Sequence, residues 1–242
     1  MLQWRERHLK MESPAGAPPL PSLSHESIAI SAAAWITDRI LEGRIGPGEK
    51  VTEASLAEQM GVSRSPIREA LRALSRGGLI VVEPRRGAFV AELDRTNAAE
   101  LYVCRLLLEP TCAAVAVQHM DDLRQERLTA IFQRMQGAAK EGNASAYILA
   151  LKDYNWNLLD GCPNRLLFQF AESSWQASLR YWDLMARSSP TYPAKSLRRN
   201  KGMQGAIEAR DPVAAERVAT EVLEFGRDEL MKLLSRLPSS TG

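Results

Sequence analysis

Four arginines, Arg64, Arg68, Arg72 and Arg76, recur every four residues, and across residues 63–76 a single acid, Glu69, offsets them. A guanidinium carries a fixed fork of donors. The fork matches phosphate oxygens, or the two acceptors on a guanine edge, so such a stripe suits recognition of a polyanion. Residues spaced by four share one face of a helix. Ser63 and Ser65 flank the first arginine, and Arg85-Arg86-Gly87 repeats the basic signal farther along. A merely solvated basic face uses the same spacing, so the surrounding elements must decide between the two uses.

Those elements are specific. Leu56, Ala57 and Met60 lie at helical spacing, and Gly61 ends that helix, because glycine takes a left-handed cap without steric cost. Val62 plugs the turn. Either Ser63 or Ser65 can cap the next helix, and Pro66 fits its first turn, where a missing N–H costs nothing. Ile67, Ala70, Leu71 and Leu74 then make one apolar stripe. Gly77-Gly78-Leu79-Ile80 and Gly87-Ala88-Phe89-Val90 predict a short β-hairpin. Helix, tight turn, helix and hairpin is the layout of a winged helix-turn-helix, which lays its second helix in the DNA major groove. The whole chain carries a net charge of only +2, so affinity for DNA has to come from a local patch. Residues 28–93 hold nine Lys and Arg against eight acids, which concentrates the positive charge on the second helix and the hairpin.

At 242 residues, two domains are expected. Residues 1–24 gather Pro14, Pro18, Pro19 and Pro21 among small polar residues and are expected to be a disordered tail. The opening decapeptide lacks the apolar run of a secretory leader. A first helix is expected over residues 27–42, and the winged helix-turn-helix over 25–93. From residue 94 to 237 the pattern is helical throughout, with segments at 96–119, 121–141, 144–160, 164–188, 195–210 and 212–236, followed by a tail at 238–242. The fold class is therefore mainly α: a winged helix-turn-helix with a small β-hairpin wing, then an all-α bundle able to hold a pocket. Cys104, Cys112 and Cys162 form no CxxC pair and are expected as reduced thiols in a cytoplasm, with Cys104 and Cys112 in the core. No stretch of about eighteen apolar residues suggests a membrane span.

The first domain closely resembles the DNA-binding domain of the GntR family of bacterial transcription regulators. The resemblance runs from Ile40-Leu-Glu-Gly-Arg-Ile-Gly-Pro-Gly-Glu49 to Gly87-Ala-Phe-Val90 and includes Gly61-Val-Ser-Arg64, Pro66-Ile-Arg-Glu-Ala-Leu71 and Gly78-Leu-Ile80. It implies that Ser63, Arg64, Ser65, Pro66 and Arg68 occupy recognition-helix positions that meet bases and phosphates; Arg72, on the same basic stripe, is a further DNA-binding candidate. It implies also that Arg85, Arg86 and Gly87 form a wing tip approaching the minor groove. Ser63 and Ser65 suit phosphate contacts that set register; which arginine reads a base is left open.

The second half resembles the FCD domain of the FadR subfamily, on Arg105-Leu-Leu-Leu-Glu109, Asp153-Tyr-Asn-Trp-Asn157, Asn164-Arg-Leu-Leu167 and Asn200 through Ala206-Ile-Glu-Ala-Arg-Asp211 to Ala215. Many such domains hold a divalent metal on one Asp and three His. The resemblance places that Asp at Asp153, but the His positions at Asn157, at Asn200 and near Val222. One carboxylate and two amides suit zinc or nickel poorly, so no metal and no cofactor is expected. Asp153, Asn157 and Asn200 remain either as a polar effector site or as a buried hydrogen-bond network. Arg105 matches an effector-site position, and it can equally form an i, i+4 ion pair with Glu109. Arg180, near Trp175, Tyr181 and Trp182, is a second candidate partner for a carboxylate.

Together these readings predict a cytoplasmic, bacterial, ligand-responsive transcription regulator, a repressor by the commoner habit of such families. Its partners would be a pseudo-palindromic double-stranded operator, an organic-acid effector and a second copy of itself. An operator-binding protein with a vestigial pocket is the alternative. No nucleophile–base pair, phosphate loop or metal set suggests an enzyme.

Overall fold

The computed structural model describes residues 25–236. The expected tails, 1–24 and 238–242, lie outside the described residues. The chain opens with α1 (His25–Leu41), followed by β1 (Lys50–Val51), α2 (Glu53–Met60), α3 (Arg64–Arg76), β2 (Ile80–Glu83) and β3 (Gly87–Val90). Helices α4 (Arg95–Gln118), α5 (Asp122–Lys140), α6 (Ala144–Asp160) and α7 (Arg165–Ser178) come next. A 3-10 turn (Leu179–Tyr181) leads to α8 (Trp182–Ser188), and α9 (Tyr192–Ala209) and α10 (Pro212–Leu234) complete the bundle.

Each boundary has a local cause. Thr52 caps α2 by accepting the Ser55 N–H, and Gly61 ends that helix at φ 65°. Asp94 starts α4 by accepting the N–H groups of Thr96 and Asn97. Asp211 does the same for α10, with Pro212 in its first turn. The wing is larger than the expected hairpin. β1 pairs antiparallel with β3, giving a three-stranded sheet in the order β1-β3-β2. A two-residue strand carries no usable alternation, which is why the sequence pattern does not reveal it.

The helix α3 packs its stripe of Ile67, Ala70, Leu71 and Leu74 against α1 and the sheet, all four buried. Burying each large aliphatic side chain stabilises by about 1.5–3 kcal/mol. In the bundle α10 lies along α4, α5 along α6, and α4 along α7. Tyr147, Tyr154, Phe168, Leu128, Met135 and Ile148 are fully buried there. The segment expected as one helix over 164–188 is broken by the 3-10 turn, and the last helix but one begins at Tyr192, with Pro193 in its first turn. Cys112 is buried as expected, whereas Cys104 is exposed. Among the described residues, no helix is long and apolar enough to cross a membrane.

Candidate nucleic-acid interface and helical-domain cavity

The exposed face of α3 carries Arg64, Arg68, Arg72 and Arg76. Ser63 holds the N-cap position with extended backbone, and its side chain makes no capping bond. The first N–H groups of α3 therefore lack a side-chain partner there, with the exposed Ser63 and Ser65 hydroxyls beside them, an arrangement suited to a phosphate oxygen. Pro66 is buried, so it shapes the start of α3 from the core side and does not offer a contact surface. Arg68 is held by a residue that the sequence reading missed: its Nε and Nη2 donate to the two carboxylate oxygens of Glu53, at 2.8 and 2.9 Å. The bond from Arg68 lowers the Glu53 pKa, and Glu53 in turn raises that of Arg68. A carboxylate fifteen residues upstream, across a turn, has no local signal linking it to a particular arginine.

At the wing, Arg85 sits at φ 64°, a left-handed conformation that strains a residue with a Cβ, and Gly87 at φ 112°. Arg86 donates to the Glu83 carboxylate, and its guanidinium stacks 5.4 Å from the Phe89 ring. Arg85 is exposed at the tip.

In the helical domain Arg105 and Asn200 line one small cavity of about 50 Å³, together with Tyr102, Glu109, Tyr192 and Ser196. That space suits a few water molecules. Arg105 is 4% exposed and donates from Nε and Nη2 to Glu109, at 2.5 and 3.1 Å. Burial works against its charge, but Glu109 and then Tyr102 outweigh it and hold the guanidinium firmly protonated. Its Cζ lies 5.1 Å from the Tyr102 ring and 6.0 Å from that of Trp182. The Asn200 amide donates to the Ser196 carbonyl at 3.0 Å.

The other expected site residues do not join them. Asp153 accepts from Arg134 at 2.9 Å and lies near Lys152, on the side of the bundle facing α5. Asn157 is buried and donates back to the Asp153 carbonyl at 2.7 Å, while its own carbonyl accepts from Arg124. Neither lines the cavity. The expected cluster of Asp153, Asn157 and Asn200 is thus divided, because i, i+4 spacing within α6 fixes a helical face but not what that face meets. Arg180 lies outside the cavity as well. Its Nη1 donates to the Gly78 carbonyl at 2.7 Å and its Nη2 to Asn97 Oδ1, so it joins the bundle to the winged domain. The donor set does not fit a divalent metal: these amide nitrogens are turned to backbone carbonyls and the carboxylate to a guanidinium. Among the described residues there is no group of three His, Cys, Asp or Glu that could hold one.

Comparison with known proteins agrees with this architecture. The family model for bacterial regulatory proteins of the gntR family matches residues 29–90, and that for the FCD domain matches residues 100–225. An uncharacterized HTH-type transcriptional regulator of Bacillus subtilis, YdhC, is 31% identical over 134 residues, covering 55% of this chain and 60% of the relative. The gluconate operon transcriptional repressor of the same organism is 41% identical over 91 residues, 38% of this chain and 37% of its own. These matches thus span three fifths or less of either relative. The solved structure of McbR/YncC from E. coli shares the fold at TM-score 0.74 and 20% identity, covering 85% of this chain and 98% of that one. A GntR regulator from Rhodococcus sp. RHA1 does so at 0.68 and 22%, covering 88% and 100%. With a winged helix-turn-helix followed by an FCD domain, the chain belongs to the GntR family of bacterial regulatory proteins.

Proposed function

We propose that this protein is a cytoplasmic transcriptional repressor that binds a pseudo-palindromic operator as a homodimer and is released from it by a small organic acid. The observation that carries the DNA-binding part is the exposed face of α3, where Arg64, Arg68 and Arg72 stand over an N-terminus with no side-chain cap, beside the basic wing tip. The gluconate operon relative named above is called a repressor, which supports that sign of control. Two copies would place two α3 helices in successive major grooves.

An exposed apolar patch supports the dimer. Helices α4 and α7 pack together and run antiparallel, with Arg180 at Asn97 and, at the other end, Gly161 just before α7 beside Ala116. Both helices carry exposed apolar side chains, Val103 and Leu107 on α4 and Leu166 and Phe170 on α7, with Leu107 and Phe170 71% and 64% exposed. Exposed apolar side chains of this size on two packed helices suit a self-complementary two-fold contact.

The effector would enter at Arg105 and Asn200 and compete with Glu109 for the guanidinium fork, without a metal. Helix α4 links that event to DNA. Asn97 lies eight residues before Arg105, about 12 Å along the helix, and accepts from the same Arg180 that holds Gly78 of the winged domain. An acid that prefers one placement of α4 would shift the population of head arrangements. The tight Arg105–Glu109 pair and the small cavity favour a second reading, in which operator binding ignores small molecules.

One pair of titrations separates the readings. Operator binding by fluorescence anisotropy should fall steeply with salt and be lost on competing unrelated DNA only slowly. Addition of sugar acids, aromatic acids and acyl compounds should raise the melting temperature and weaken the operator complex. Thermal silence across the acids establishes the ligand-insensitive reading; absence of sequence-selective binding overturns both.

A further inference from the structure

A larger cleft, about 740 Å³, lies between the two domains, walled by α1 and α3 on one side and by α6 and α7 on the other. That volume falls in the range of sites for drug-sized ligands. Trp156 and Trp175 line it, with ring centroids 5.6 Å apart, and the buried indole N–H of Trp175 has no hydrogen-bond partner. Glu172 also lines it, half-buried, and forms no salt bridge with any described residue; it accepts a hydrogen bond from the neutral Gln176 amide at 3.0 Å. The lysine on the wall, Lys152, is already paired with Asp38, and Arg76 is at the exposed rim. The cleft therefore combines aromatic walls with a carboxyl group in no ion pair, on which the nearby Arg165 guanidinium, itself held by Asp160, acts only through space.

We propose that this interdomain cleft is a second ligand site, for a small amphipathic amine whose ammonium group pairs with Glu172 while its apolar body lies against Trp156 and Trp175. An ammonium supplies the missing counter-charge, and tryptophan is the aromatic side chain that best attracts a cation. Burial pushes the Glu172 carboxyl up to about 7, outweighing the Arg165 charge that lowers it. Because α3 forms one wall, an occupant touches the back of the recognition helix, at Ala73. The site is separate from the Arg105 cavity and carries the opposite charge preference.

The test uses the full chain at pH 8 with three matched probes: 2-phenylethylamine, 2-phenylethanol and phenylacetate. Titration calorimetry and quenching of tryptophan fluorescence should show the amine binding at least about tenfold more tightly than the alcohol or the acid. Glu172→Gln should remove that preference. Ser173→Trp, which fills the cleft from its rim, should abolish amine binding while circular dichroism stays unchanged. Asn200→Leu, altered only in the other cavity, should retain it. Amine binding that survives both cleft substitutions, equal binding of acid and amine, or no amine binding at millimolar concentration would each overturn the proposal. Should Glu172→Gln fail to fold, the probe selectivity of the native chain and the Ser173→Trp variant decide the matter.

Discussion

Arg68 is oriented before DNA arrives. Both of its bonding edges toward Glu53 are in place, so the side chain has already lost much of its rotamer freedom. In the proposed operator complex the fork would either share that carboxylate or exchange it for a phosphate or guanine. Either way Arg68→Ala should weaken operator binding by about 1–3 kcal/mol, measured by anisotropy at fixed salt; an unchanged affinity would mean that α3 does not enter the groove. Glu172 gives a prediction on stability. Its folded pKa, about 7, lies above the ordinary 4.5, so the folded state binds this proton more tightly than the unfolded one. The cost of ionising it is absent below pH 4.5, grows as pH rises toward 7 and is complete above that. Glu172→Gln should therefore stabilise the protein at pH 8 by about 1 kcal/mol, allowing for its partial exposure, and by nothing at pH 4.5. Equal shifts in melting temperature at both pH values would contradict this. The missing histidines make a third case: protein purified without chelator should hold zinc and nickel far below one per chain, and one tightly held ion would require a ligand set other than Asp153, Asn157 and Asn200.

The elements were legible where a local signal marks them. Gly61, Asp94 and Asp211 each stand at the boundary their chemistry predicts, and the breaks between α4, α5, α6 and α10 fall within a residue or two of expectation. What escaped was set by distant partners. The turn at Leu179–Tyr181 interrupts an apolar helical pattern where Arg180 and Tyr181 bond the start of α4, and β1 exists only because β3 lies beside it. The site divides along the same line. The arginine face was readable from spacing alone, whereas the placement of Asn157 and Arg180 depended on which helices meet. The wing shows a local rule broken: Arg85 adopts a left-handed conformation that glycine would take freely. Arg85→Gly should relieve about 1–2 kcal/mol of strain, partly offset by the greater freedom of the unfolded chain. The same change removes a cation from the tip, so the melting temperature should hold or rise while the operator affinity falls and its salt slope flattens by about one. Unchanged affinity and slope would place the tip away from the DNA backbone.

At the scale of the whole molecule, the heads are tied to the bundle by a few polar bridges. Arg180 reaches the Gly78 carbonyl, Lys152 meets Asp38, and Arg187 meets the Glu42 carbonyl. Arg180 differs from the rest in being buried with donors to both domains at once, on Gly78 and on Asn97. Hydrogen bonds from a charged group of this kind contribute about 1.5–3 kcal/mol each. Arg187 is largely exposed and should contribute under about 1 kcal/mol. If the bridges couple the domains, Arg180→Met should split a single calorimetric transition into two, the winged domain melting first, while Arg187→Ala leaves one transition nearly unmoved. The Arg180→Met protein should also bind the operator more weakly, although Arg180 touches no part of the recognition face, because in the proposed dimer two loosened heads would have to be ordered on the DNA. Its deficit should shrink when the operator half-sites are tested singly, since one head then needs no fixed spacing. A single transition with full operator affinity in Arg180→Met would show that the domains communicate by packing alone, and that the path from Arg105 through Asn97 to the wing is not the one that carries the signal.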